Sequence, residues 1–307
     1  MASLPTIPVG LPQKGELLAG KYRIEDVLGA GGMGIVVSAR HLASGTPVAI
    51  KFVINVQSPS PEAAARLTRE AQVIGALRSE HVVRLYEVGV LPNGLPFMVM
   101  EHLRGTHLGR LLEVRGPFPV REAVDCILQA GEAIAEAHAL GVVHRDLKPE
   151  NLFVVALPDR SLSIKVLDFG LSKVGDALGF GVTSTDAVAG SPRFMAPEQM
   201  NSLKHVDARA DLWSIGVILF LLLSGHVPYE GSTLVSVGVS IIRTELPPLG
   251  SLRADVPASL DAAVRRCLQR NLAQRVQSVA ELAQELAPFA SARGAASAAS
   301  ILRARHA

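Results

Sequence analysis

A glycine-dense stretch that runs straight into β-branched residues, Leu28–Val37 (LGAGGMGIVV), constrains the fold of this chain more than any other feature. Gly29, Gly31, Gly32 and Gly34 fall within six positions. That density suits either a loose turn or a backbone that something large and charged approaches closely. Gly29, Gly31, Gly34 and Val36 fit G-x-G-x-x-G-x-V, a spacing also found in dinucleotide-binding turns and ordinary loops. A dinucleotide fold requires a helix after the last glycine and an acidic residue about 20 positions further on. Here a strand follows instead, so the pattern suits a glycine-rich hairpin whose backbone N–H groups face phosphates.

Further strand-like runs support that reading: YRIEDVL, GIVVSARH, PVAIKFVI, VVRLYEVGV and PFMVMEHL, several of them separated by glycine, proline and asparagine. They predict a small, mostly antiparallel sheet. One helix is expected among them, SPEAAARLTREAQVIGAL, with Ser60 as N-cap and Pro61 at its first position. Leu67, Ala71, Ile74 and Leu77 form its apolar stripe, and Glu70 falls on that stripe. Glu70 either pairs with Arg66 at the surface or faces inward, where it needs a cation from elsewhere. From about residue 106 the pattern turns helical, through REAVDCILQAGEAIAEAHALG, WSIGVILFLLLSG, SLDAAVRRCLQRN and SVAELAQELAPFA. A strand-rich third followed by a helix-rich remainder predicts an α+β protein of two lobes.

Composition narrows the partners. The chain has 307 residues, 49% hydrophobic, with a net charge of +2 and only 19% charged residues. A substantial core is expected, and a dedicated nucleic-acid binder, which carries a clustered basic surface, is not. Cys126 and Cys267 are too few and too far apart for a disulfide framework or a zinc site, so both read as reduced core residues of a cytosolic domain. No signal peptide is visible at the N-terminus. The most apolar run, Trp213–Gly225, is shorter than the roughly 20 residues that span a bilayer and reads as a buried central helix.

The chemistry concentrates in two later stretches. HRDLKPEN, His144 to Asn151, gathers a carboxylate, a lysine and a carboxamide in six positions, with Pro149 stiffening the chain. Asp146 can accept a proton from a hydroxyl, Lys148 can neutralise a transferring phosphoryl group, and Asn151 can offer an oxygen to a hard cation such as Mg²⁺. After the strand SIKVL comes DFG, and Asp168 is the obvious second metal ligand. Lys51, in VAIK, is an ordinary edge charge unless Glu70 or phosphates beneath the glycine loop engage it.

In order, the glycine loop, VAIK, the inward glutamate, HRDLKPEN, DFG and APE resemble the signature set of the eukaryotic-like Ser/Thr protein kinases. GAGGMGIV and FMAPEQ look most like the bacterial branch, and the resemblance covers roughly residues 20–290. It implies the bilobal kinase fold: a small antiparallel N-lobe with one helix at about 21–101, a hinge at about 101–105, and a mainly helical C-lobe at about 106–289. Residues 1–20 would be an extended leader and 290–307 frayed helix or a linker.

The resemblance also implies roles. Lys51 would hold the α- and β-phosphates of ATP and pair with Glu70. The loop Leu28, Gly29, Ala30, Gly31, Gly32, Met33 and Gly34 would cover the phosphates. The adenine would lie between Val36 and Ala49 above and Phe153 below. Glu101, His102 and Leu103 would be the hinge, and Met100 the gatekeeper. Asp146 would orient and deprotonate the acceptor hydroxyl, assisted by Lys148. Asn151 and Asp168 would hold Mg²⁺, with Mn²⁺ as a substitute. Leu85, Ile74, Phe169 and His144 would stack as a spine, with Gly170 completing DFG. Lys148, two residues after Asp146, is the Ser/Thr-type signature.

Arg145 leaves a charge beside Asp146 that an anion would neutralise. Thr183 and Thr185, and secondarily Ser184, are therefore expected autophosphorylation sites, and a dimer would serve their phosphorylation in trans. Ser191 stands where the family usually has threonine and keeps the hydroxyl that would contact Asp146 and Lys148. Phe194 replaces a common tyrosine. Glu198 should pair with Arg275, although the usual proline after that arginine is Val276 here, and Asp211 should cap and brace the catalytic loop. Glu150 suggests a basic preference around the acceptor. His81, His107 and His138 show no metal-ligand spacing and read as structural. The expected function is phosphoryl transfer from Mg-ATP to Ser/Thr of proteins, in the cytoplasm or as the cytosolic part of a membrane-anchored kinase. A pseudokinase scaffold and a small-molecule phosphotransferase are the alternatives.

Overall fold

The computed structural model describes residues 6–8, 10–31, 34–54, 74–159, 161–169, 192–201 and 206–304. Glu70, Gly32, Met33, Gly170, Thr183, Ser184, Thr185 and Ser191 lie outside the described residues, as does most of the helix expected from Ser60. The chain divides into two compact units. The first takes in the described residues up to Ala76 and Val83–Arg104, and the second takes in Leu77–Val82 and the described residues from Gly105 on.

The first unit is an antiparallel sheet of six strands: β1 (Leu17–Leu18), β2 (Tyr22–Gly31), β3 (Gly34–His41), β4 (Pro47–Val53), β5 (Leu85–Val90) and β6 (Pro96–Glu101). Their order is β1-β2-β3-β4-β6-β5. The period of two along each strand sorts the side chains. Ile35, Val37 and Ala39 of β3 and Val48, Ile50 and Phe52 of β4 enter one core with Tyr22, Ile24, Phe97 and Val99. The other face carries the intervening residues. Val36 pairs Lys51, which pairs Met98, while Ser38 pairs Ala49, which pairs Met100. Two register shifts in β2 surround Val27, and Ser38 fills the break by accepting from the Asp26 N–H at 3.0 Å and donating to the Asp26 carbonyl at 3.2 Å.

The segment read as an extended leader is part of this sheet. Leu17–Leu18 pairs antiparallel with Tyr22 and Arg23, Leu11 and Leu18 are buried in the core, and Ile7 packs against it. The Asn93 amide holds the segment by donating to the Gly10 carbonyl at 2.9 Å. Leucines and isoleucine between prolines supply enough apolar area to dock, which the turn-rich composition concealed.

The second unit is mainly helical. A small sheet of β7 (Thr106–His107), β8 (Leu152–Ala156) and β9 (Leu162–Val166) sits beside α1 (Leu108–Arg115) and α2 (Val120–Ala139). There follow α3 (Pro197–Asn201), α4 (Arg209–Ser224), α5 (Leu234–Arg243), α6 (Leu249–Leu252), α7 (Ala258–Cys267), α8 (Val279–Leu286) and α9 (Ala292–Ala304). Helix α4 is apolar all round and is the buried central helix the sequence suggests: Leu212, Trp213, Val217, Ile218, Leu222 and Leu223 are wholly enclosed. No described helix is long and apolar enough to cross a membrane.

The expectation of a frayed tail or linker after residue 290 is corrected by α9. Its buried face, Gly294, Ser297, Ala298 and Ile301, packs on α2. Small residues on both helices permit the close approach: a Cβ at Gly131 of α2 would meet the Ile301 side chain at 3.2 Å. Asp125 of α2 accepts from the Ser291 N–H at 2.9 Å and anchors the entry to α9.

Candidate functional site

Loop 144–151 follows helix α2 and leads into β8, and its conformation is imposed by one buried carboxylate. Asp211, in the first turn of α4, is fully enclosed. It accepts from the backbone N–H of His144 at 2.9 Å and of Arg145 at 2.8 Å, and from His138 Nε2 at 2.7 Å. Burial alone would push its carboxyl up. The bond from His138, with the electrostatic influence of the His138 and His144 rings and the Arg145 N–H, outweighs burial and holds it below the ordinary carboxylate value. The expected brace is present, and His138, expected to be merely structural, is its third donor.

These bonds hold Arg145 in a left-handed conformation, φ +67°, which a non-glycine residue adopts at an energetic penalty of about 1–3 kcal/mol. His144 is fully buried. Its Nε2 donates to the Leu167 carbonyl at 2.8 Å and its Nδ1 accepts from the Asp146 N–H at 3.3 Å, which sets the tautomer. The His144 and Phe169 rings lie 4.9 Å apart. The loop is thereby tied to the end of β9, where the Leu167 N–H also donates to the Asn151 carbonyl at 2.9 Å. Asp168 follows with φ +59°, a left-handed turn that aspartate tolerates better than most residues.

Within this frame Asp146, Lys148 and Asn151 converge. Lys148 Nζ donates to Asp146 Oδ2 at 2.9 Å and to Oδ1 at 3.2 Å. The Asn151 amide donates to the Asp146 carbonyl at 2.7 Å and to Asp146 Oδ2 at 3.1 Å. Because the amide nitrogen is engaged, the Asn151 carboxamide oxygen is left as the acceptor end. Asp146 and Lys148 keep side-chain exposures of 17% and 19%, so both can meet a substrate.

A second tie was missed in the sequence. Gln199, nearly buried, donates to the Arg145 carbonyl at 2.9 Å and accepts from the Ala196 N–H at 3.0 Å, which links the APE segment to the loop. It directly follows APE in the chain, but nothing in its spacing marks it. The expected pair of Glu198 and Arg275 is bidentate, at 2.6 and 3.0 Å, and Arg275 lies over the Trp213 ring at 5.1 Å. Val276 does not disturb that turn: it is buried and its N–H, which proline lacks, donates to the Arg266 carbonyl at 3.3 Å. Phe194 keeps its ring buried, and its carbonyl accepts from the Ser214 hydroxyl at 2.8 Å. The Arg145 Nε is buried and has no hydrogen-bond partner among the described residues.

The first unit groups its own candidates. Val36, Ala49, Lys51 and Met100 stand on one face of the sheet, opposite the apolar core, and Lys51 is 6% exposed. Gly29 pairs Val36 and Gly31 pairs Gly34 in the hairpin, with Ala30 between them and Leu28 half exposed. A Cβ at Gly34 would run into the Phe52 carbonyl oxygen, so the close approach of β3 to its neighbour β4 there demands glycine. Glu101 ends β6 and accepts from the Arg84 N–H at 2.9 Å; the His102 Nδ1 just beyond is buried without a partner among the described residues. The division between units falls between Arg104 and Gly105, after Leu103. In the second unit Phe153 pairs His107 and Lys165 on β8.

Comparison with known proteins agrees with these features. The model of the protein kinase domain matches residues 22–286. The serine/threonine-protein kinase PknB of Mycolicibacterium smegmatis is 35% identical over 272 residues, 88% of this chain and 43% of that protein. The serine/threonine-protein kinase pkn3 of Myxococcus xanthus is 33% identical over 276 residues, 89% of this chain and 50% of that protein. The chain thus spans about half the length of the curated relatives it matches. The crystallised kinase domain of PknI from Mycobacterium tuberculosis shares the fold, with a TM-score of 0.70 and 24% identity over 91% of this chain and 99% of that one. With its motifs in family order and the family model spanning most of its length, this chain belongs to the protein kinase domain family.

Proposed function

We propose that the chain is the catalytic domain of a serine/threonine protein kinase that transfers the γ-phosphoryl group of ATP to Ser/Thr hydroxyls of proteins. The observation that carries this reading is the Asp146 carboxylate held between Lys148 Nζ and the Asn151 amide on a loop pinned by Asp211. A carboxylate fixed at two points and still partly exposed is suited to orient a hydroxyl and take its proton. As the acceptor oxygen bonds to the γ-phosphorus, the bond to the β,γ-bridging oxygen breaks and ADP leaves. The released proton resides on Asp146. Lys148, beside it, offsets the charge that develops on the transferring group.

The donor set also suits a hard cation. The Asn151 carboxamide oxygen and the Asp168 carboxylate are oxygen ligands of the kind Mg²⁺ or Mn²⁺ takes. When bound, the metal would neutralise phosphate charge. We assign the α- and β-phosphates to Lys51, paired with Glu70, and the covering loop to residues 28–34. We assign the adenine to Val36, Ala49 and Phe153, with Met100 as gatekeeper and Glu101, His102 and Leu103 as hinge. These assignments rest on the order of the family motifs. The buried Arg145 Nε, without a partner among the described residues, supports an anionic partner for that guanidinium, and we assign phosphorylation to Thr183 and Thr185, with Ser184 secondary, by a transient dimer. An ATP-consuming domain works in the cytosol, alone or as part of a longer membrane-anchored protein.

Transfer of label from γ-labelled ATP to a generic basic protein tests the reading. Asp146→Asn should lower the rate by about 10²–10⁴-fold, the range of general-base catalysis. Undiminished labelling by that variant would remove Asp146 from its role. Absence of any label on residues 183–185 after incubation with ATP would remove the phosphosites alone.

A further inference from the structure

Helix α5 (Leu234–Arg243) is a surface helix with apolar residues on both sides. Val237 and Ile241 are buried against the second unit, at 0% and 2% exposure. Val235, Val239 and Ile242, at i, i+4 and i+7, form an outward stripe exposed by 76%, 42% and 71%. A helix that covers a core normally turns polar and charged residues to water. The only charge on α5 is Arg243, in its last turn. The helix is firmly started, because Thr233 and Ser236 form a reciprocal capping box.

Two residues past Ile242, Thr244 forms part of the wall of a surface hollow of about 370 Å³. Arg265, Arg270, Asn271, Gln274 and Tyr229 form other parts of it, and Glu245 is the only carboxylate among its described lining residues. The groups with unused capacity are mostly donors. Arg265 is engaged by Asp261 and by the Leu246 carbonyl. Arg270 makes one bond, to the Thr244 carbonyl at 3.3 Å, and no ion pair among the described residues. The Asn271 carboxamide oxygen accepts from the Ala273 N–H, which leaves its amide N–H groups to offer. Burial pushes the Tyr229 phenol up, and the guanidiniums of Arg270 and Arg265 act against that push.

We propose that the α5 stripe and this hollow together bind an acidic, aliphatic-rich segment of a partner protein. Its aliphatic side chains cover Val235, Val239 and Ile242, and its carboxylates enter the hollow to meet Arg270 and the Asn271 amide. Charge complementarity selects the acidic end, since guanidinium and amide donors outnumber the one carboxylate. The adjoining stripe selects a peptide over a free ion, because an ion leaves that apolar surface exposed. This docking role does not depend on the phosphotransfer reading, and its test measures binding alone.

The molecule carries its own reporter. Trp213 is the sole tryptophan, it is buried, and it stacks on Tyr229 with centroids 5.6 Å apart and planes at 11°. The probe is a tryptophan-free synthetic peptide of leucines followed by aspartates, followed by Trp213 emission and by titration calorimetry on the full chain. A saturable signal is expected, absent for the same peptide with lysines in place of aspartates. Arg270→Glu, at an exposed position, should weaken binding by about tenfold or more, as reversal of an interfacial charge does, with an unchanged thermal midpoint. Val235→Asp with Ile242→Asp should weaken it comparably. The proposal is overturned by silence in both readouts, by equal binding of the lysine peptide, or by full affinity in Arg270→Glu. It is overturned equally if inorganic phosphate alone reproduces the signal, or if the α5 variant dissolves a homodimer while the peptide fails to bind.

Discussion

Asp211 sets the conformation of the loop that carries Asp146 by accepting from the backbone N–H groups of His144 and Arg145. Its replacement by alanine leaves the N–H groups of His144 and Arg145 facing an enclosed void and removes the support for a left-handed Arg145. Urea denaturation of Asp211→Ala should show a loss of about 3–5 kcal/mol, the range for breaking a buried charged pair. The pH dependence has a definite sign. Because the folded carboxyl lies below its ordinary value of 3.8, its stabilisation is complete above that value. It is lost as pH falls through the lower, folded value. Asp211→Asn should therefore have a shallower acid limb than the parent below about pH 4, read by circular dichroism during acid titration. Glu198 poses a similar problem. Glu198→Ala strands the buried Arg275 guanidinium, which still has the Gln269 and Arg209 carbonyls as acceptors. The expected loss is about 3 kcal/mol, and Arg275→Lys in the parent background should also lose stability because lysine cannot bond bidentately. Asp146, Lys148 and Asn151 were legible as a cluster because eight consecutive residues hold them all. Gln199 and His138 were not, since each acts through a partner more than 50 positions away.

Among the elements, the strands were the most legible. The run GIVVSARH coincides with β3, Gly34–His41, because β-branched residues that follow directly on a glycine turn mark a strand in the sequence. Gly34→Ala should lower stability by about 1–3 kcal/mol and loosen the hairpin, with faster amide exchange in β3 and β4 as the measure. Helix α9 was misread because alanine and serine make a polar-looking tail, whereas on α2 those same small side chains let two helices meet closely. Ile301→Ala should lose about 2–5 kcal/mol, as burial-removing truncations of isoleucine do. Removal of residues 291–307 should lower the thermal midpoint further by exposing Val279 and the α2 face around Gly131. If truncation leaves the midpoint unchanged, α9 is an appendage and the packing described here has no energetic weight.

For the molecule as a whole, the two cysteines give a simple measure of integrity. Cys126 and Cys267 are both free and buried. Burial pushes both thiols up, that of Cys267 to about 12, so little thiolate exists at neutral pH. A chromogenic thiol reagent should therefore find essentially no reactive cysteine in the native protein and both of them in concentrated urea. Rapid native labelling would mean that the helical unit opens readily. The sequence by itself determined the architecture class, the strand faces and the central helix α4, and it placed Asp146, Lys148 and Asn151 in one short cluster. Those depend on periodicity and on motifs contained within a few consecutive positions. Tertiary structure alone decided that His138 joins Asp211 in shaping loop 144–151, that Gln199 ties that loop to the APE segment, and that Leu11, Leu18 and helix α9 pack. Each of these depends on contacts between residues distant in the chain, and no local pattern encodes which distant group will arrive.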